Sequence, residues 1–165
     1  FVGTVIYHLS PSELGLYFGA VGIGYGAGNF LSGRYSMRMG TIRMIVWGNV
    51  AMTIGLALQI AAVYTGIGGA FGFFAPFLVV GIGNGMVLPN SNAGMLSVRP
   101  HLAGTASGLG GAFMIGGGAA LSALAGAALT PETGAWPLLG IMTLSMIGSI
   151  LAIVMVVHRN RRLGL

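Results

Sequence analysis

Residues 88–108 read "LPNSNAGMLSVRPHLAGTASG". Pro89, Asn90 and Asn92 interrupt an otherwise apolar run, and Arg99-Pro100 closes it. Whether these residues occupy a solvated loop or the interior of a membrane decides the fold. The rest of the chain supplies the answer. Only 5% of the 165 residues are charged and 55% are hydrophobic, with a mean hydropathy of +0.91. A soluble domain carries roughly a quarter of its residues charged. This chain cannot cover itself in water, so it reads as an all-α integral membrane protein.

Five stretches are long and apolar enough to span a bilayer as helices: about 14–33, 42–64, 71–98, 104–129 and 136–157. Residues 1–9 resemble the end of a sixth span, and with no initiator Met or signal-peptide pattern the chain reads as a fragment lacking its upstream part. Arg34, Arg38 and Arg43 lie between the first two full spans, Arg99 between the third and fourth, and Arg159, Arg161 and Arg162 after the last. Glu13 and Glu132 fall in the alternate connections. Arginines on one side only predict a multi-pass protein with its C-terminus in the cytoplasm. The basic pI therefore speaks of membrane orientation and not of nucleic acid.

Ser10-Pro11-Ser12-Glu13 has the form of a helix-opening capping box, with proline at the first helical position. Thr130-Pro131-Glu132 is expected to open the last span similarly. The 31 glycines are unevenly shared: 7, 2, 5, 8 and 2 across the five spans. The order suggests two helix triplets, each with a glycine-rich middle, as in transporters built from internal repeats. Gly22/Gly26 and Gly104/Gly108 have the spacing that lets helix backbones approach closely. They either pack helices within the chain or form a contact between two half-molecules.

Gly33-Arg34-Tyr35-Ser36-Met37-Arg38-Met39-Gly40 resembles the G-x-x-x-D-R-x-G loop signature of the major facilitator superfamily. Residues 81–118, and above all "LPNSNAGMLSVRPHLAGTASGLGG", resemble the tenth and eleventh helices of its drug:proton antiporters, in particular the bicyclomycin/chloramphenicol-resistance (Bcr/CflA) group. The loop's acidic position is Met37 here, a departure that removes the charge pair expected of it. The resemblance covers the whole chain as a C-terminal six-helix bundle, five complete spans plus the end of a sixth, of a twelve-helix transporter. It implies proton-coupled efflux of drug-like amphipathic molecules by alternating access, in the bacterial inner membrane, together with a missing N-terminal six-helix half. It also implies contacts between halves through the eighth and eleventh helices, which carry Gly22, Gly26, Gly104 and Gly108, and gating by Gly33, Arg34, Arg38 and Gly40, with simple contact to anionic headgroups or helix C-terminal carbonyls as the alternative for the two arginines. No cofactor other than the proton gradient is implied.

On this reading Pro89 removes a backbone hydrogen bond and is expected to kink or loosen its helix. Asn84, Asn90 and Asn92 are costly against lipid, so they face protein or a wet cavity. Asn84 shares a helical stripe with Phe73, Phe77, Val80, Leu88 and Ser91. Asn84, Asn90, Phe77 and Tyr25 are the candidate substrate-cavity residues, with simple helix-to-helix packing as the alternative for each. Tyr25 lies near mid-membrane, where its hydroxyl needs a partner, and shares a face with Asn29. Enzyme chemistry has no inventory: the chain lacks Cys and Asp, and its three histidines lie near span ends. Two further functions stay open, a metabolite or sugar exporter on the same scaffold and a non-transporting membrane subunit.

Overall fold

The computed structural model describes residues 1–98 and 100–163, without the side chains of Arg161 and Leu163. Arg99 therefore lies outside the described residues. A π-helical turn, Val2–Ile6, leads into α1 (Pro11–Met39), α2 (Thr41–Thr65), α3 (Gly69–Phe74), α4 (Pro76–Ser97), a 3₁₀ turn (Pro100–Leu102), α5 (Ala103–Ala128) and α6 (Trp136–Leu163). The described residues form no strand.

Local sequence accounts for most boundaries. At α1 the capping box is complete: the Ser10 backbone N–H donates to Glu13 Oε2 (2.8 Å), and the Glu13 N–H donates back to Ser10 Oγ (3.3 Å). At the α5–α6 connection the reciprocal pair forms between Thr130 and Thr133, not with Glu132. The Thr130 N–H donates to Thr133 Oγ1 (2.9 Å) and the Thr133 N–H to Thr130 Oγ1 (3.1 Å). The helix then begins at Trp136. α2 stops at Gly66, whose φ of 68° suits a residue without a Cβ.

Among the described residues four stretches are long and apolar enough to cross a membrane: Thr41–Thr65, Gly69–Ser97, Pro100–Ala128 and Trp136–Asn160. α1, at 29 residues, has the length, but its seven glycines, two tyrosines before Gly33 and Asn29 dilute its apolarity. The third stretch of the sequence is interrupted at Ala75, just before Pro76, whereas the helix runs unbroken past Pro89.

α4 is the centre of the bundle, wedged between α1 and α2. Glycines make this possible. A Cβ on Gly24 or Gly28 of α1, or on Gly81 or Gly85 of α4, would come closer than 3.0 Å to a backbone carbonyl of the facing helix. Gly48 and Gly83 meet in the same way across α2 and α4. α6 packs on α2, and α5 touches α4 and α6 lightly. Val2, Leu56, Phe73, Phe74, Ala135, Leu139 and Met146 form the apolar core at the end where Glu13 and Glu132 lie. At the opposite end, Arg38, Arg43 and Asn160 line one concavity, so the α1–α2 corner and the end of α6 are neighbours.

Candidate substrate cleft

Because α5 stands away from α4, a cleft of about 660 Å³ opens between α4 and α2 on one side and α5 and α6 on the other. Val80, Asn84 and Val87 face it from α4, Met52 and Leu56 from α2, Ser122 and Ala125 from α5, and Ser145, Met146 and Ser149 from α6. Phe1 closes one end. Through Val87 and Ser149 the cleft continues into a second cavity of about 560 Å³, reaching Ser91, Met95 and Asn160 toward the arginine end. The lining is apolar with a few hydroxyls and one exposed amide.

That amide is Asn84. It is exposed on α4 and makes no side-chain hydrogen bond among the described residues. Asn90 is different in kind. It is buried, and its Nδ2 donates to Ser32 Oγ (2.7 Å) and to the Met86 carbonyl (2.7 Å). Its Oδ1 accepts from Ser36 Oγ (2.8 Å). Both N–H donors are used, and the side chain bolts α4 to α1. Asn92 is exposed. Asn90 borders the second cavity but is committed to these bonds, whereas Asn84 in the cleft is not, so the two amides differ in role.

The remaining candidates separate further. Phe77 is half-buried in an aromatic cluster with Phe73 (ring centroids 5.7 Å apart) and Phe74 (6.3 Å), which Tyr7 and Tyr17 extend. Phe73 is buried in the core, so the expected stripe is packing at its Phe end and cleft at its Asn84 end. Tyr25 lies on α1, away from the cleft, and its hydroxyl makes no hydrogen bond among the described residues. Its carbonyl accepts from Asn29 Nδ2 (3.0 Å), so the Asn29 amide serves its own helix. Gly33, Arg34 and Arg38 fall in the last turns of α1 and do not form a loop. Nothing breaks the helix before Gly40, whose φ of 86° makes the whole turn into α2.

Two buried amides escaped the sequence reading. Asn49 accepts from Ser149 Oγ (2.7 Å) and donates to the Ile45 carbonyl (2.9 Å), tying α2 to α6 beside the cleft. Gln59, fully buried, donates to the Phe73 carbonyl (3.0 Å) and leaves Oε1 without a partner among the described residues. The rule that flagged Asn84 and Asn90, a polar side chain inside an apolar span, applies equally to both.

The family model of the Major Facilitator Superfamily matches residues 3–164. The chain belongs to the Major Facilitator Superfamily. It is a multi-pass membrane polypeptide of a transporter family, and its helices are those of an all-α membrane bundle. No curated protein and no solved structure matches it. Within this superfamily chain, Gly22, Gly26, Gly104 and Gly108 all face open space, with nothing within 4 Å of where a Cβ would stand.

Proposed function

We propose that this chain is the C-terminal half of a drug:proton antiporter that exports small amphipathic molecules from the bacterial cytoplasm by alternating access. The observation that carries the reading is the apolar cleft of about 660 Å³ with Asn84 as its one uncommitted amide. Such a cleft has the size and character of a drug site, where apolar walls give affinity and a few polar groups orient the ligand. The C-terminus lies on the arginine side, which the positive-inside rule makes cytoplasmic.

The N-terminal six-helix half completes the transporter. The open glycine faces of α1 and α5 support this, because backbone can approach there without displacing anything. Glu13 sits in the first turn of α1 and Glu132 in the turn between α5 and α6, so neither lies inside a span. The group that carries the proton across the membrane therefore belongs to the partner half.

Efflux of dyes and antibiotics from pump-deficient bacteria expressing the full transporter tests the proposal, with and without a protonophore. Efflux should collapse with the proton gradient, and Asn84→Ala should lower it about tenfold for at least one substrate with normal insertion. Undiminished efflux in the protonophore would end the antiport reading. Equal efflux by the Asn84→Ala variant for every substrate would remove Asn84 from the site.

A further inference from the structure

On the side of the bundle away from the cleft, α2 and α6 diverge and leave an apolar groove of about 650 Å³. Val46, Val50 and Ile54 line it from α2, and Ile150, Val154 and Val157 from α6, with His158 at its basic end. Val46, Val50, Ile54 and Val154 are exposed there. In a membrane protein, an apolar groove between two spanning helices on the bundle's outer wall opens onto hydrocarbon and not onto water.

At its arginine end the groove runs into a second concavity, of about 820 Å³, and Val46 and Val157 line both. The chemistry changes there. Arg38 comes from the last turn of α1 and Arg43 from the first turns of α2, joined by the Gly40 corner, with Trp47 and Asn160 beside them. Among the described residues no side chain caps the N-terminus of α2, which leaves its first-turn N–H groups without a side-chain acceptor there. The chain's only acidic side chains, Glu13 and Glu132, are at the opposite end of the bundle. Two arginines lining one concavity at an uncapped helix start have the chemistry of an anion site, and phosphate suits it best.

We propose that this composite groove binds an anionic glycerophospholipid, its phosphate between Arg38 and Arg43 and one acyl chain lying between α2 and α6. Dimensions agree. From Val46 to Ile54 the groove follows α2 for about 12 Å at 1.5 Å per residue, close to the roughly 15 Å of hydrocarbon in one leaflet. Trp47 stands at headgroup level, where tryptophan is favoured. A free phosphate would use the arginines alone. Only a lipid uses the arginines and the groove together.

The test is quenching of Trp47, isolated as the fluorescence that Trp47→Phe removes, in full-length protein reconstituted into phosphatidylcholine nanodiscs. Acyl-brominated phosphatidylglycerol or acyl-brominated phosphatidylcholine is added at low mole fraction. The anionic lipid should quench Trp47 about tenfold more effectively per mole fraction. The double variant Arg38→Gln/Arg43→Gln should bring the two lipids to parity, and Val154→Phe should reduce the preference with both arginines intact. Parity in the unaltered protein would overturn the proposal. So would a preference untouched by Val154→Phe, which would mean headgroups gathering on a basic surface. Competition by millimolar inorganic phosphate or glycerol phosphate would equally overturn it, by making the site one for small anions.

Discussion

α4 and α5 are both rich in glycine, yet the bundle treats them oppositely. A third of the apolar stretch that contains α4 is buried, against 6% of the one that contains α5. Gly81, Gly83 and Gly85 each face the backbone of α1 or α2. Along α5 seven of eight glycines face nothing within 4 Å, and Gly110 alone meets a neighbour, the Met95 side chain. α1 holds the same contrast within one helix. Gly24 and Gly28 press against α4, whereas Gly22 and Gly26, about 200° around the helix at 100° per residue, face outward. Small residues in a membrane helix thus mark surfaces meant for close approach, and here only some of those surfaces are covered by this chain.

The sharpest break of the comparison is Gly85→Val. The new side chain would stand against the Tyr25 carbonyl and push α1 off α4. Thermal unfolding in detergent should show a loss of about 3 kcal/mol or more, as overpacking of a fixed backbone contact does. Stability equal to the unaltered protein would mean that the helices are not in that contact. Asn90→Ala comes next, since it strips α4 of its bonds to Ser32 and Ser36. A drop of about 1–2 kcal/mol is expected by the same assay; no drop would show that the two serines re-pair without it. Gly108→Val is the complement. On the open face of α5 it should change bundle stability by no more than about 0.5 kcal/mol, yet impair efflux by the full transporter. A stability loss like that of Gly85→Val would place a neighbour against α5 within the bundle.

Much of the fold was legible because it depends on amounts and local rules. A chain with 5% charge has few alternatives to a membrane, and the α1 capping box needed only residues three apart. The Thr130 turn shows where local rules stop. Glu132 looked the natural partner by type, but Thr133 sits in the position that closes the reciprocal pair. Pro76 and Pro89 carry the same lesson: within α4 the same residue type opens the helix at one position and lies inside its run at the other.

The site was legible in part. Polar residues in apolar spans identified Asn84 and Asn90 as unusual, and six residues of helix separate them by about 240°. Sequence fixes that angle between them. It does not say which of the two looks at α1 and which at the cleft, because that depends on where α5 and α6 come to rest. Tyr25 and Phe77, read as cavity or packing, and the Gly33–Gly40 segment, expected as a loop and found as helix up to Gly40, were undecided for a related reason: residue type was informative, but the neighbouring helix was unknown. Of the lipid groove only Arg38, as a contact for anionic headgroups, was legible; the apolar groove was not, since it joins the α1–α2 corner to a helix more than a hundred residues away in the chain.

The most direct test uses the absence of cysteine from this chain. In a full transporter with one introduced thiol, Asn84→Cys and Asn90→Cys are exposed in turn to a membrane-impermeant, water-soluble maleimide in inside-out and right-side-out vesicles. A cleft that serves as the transport path predicts labelling at position 84 that transported drug slows, and little labelling at position 90. Equal labelling at both positions, or labelling at 84 that no substrate slows, would contradict the assignment of this cleft to transport.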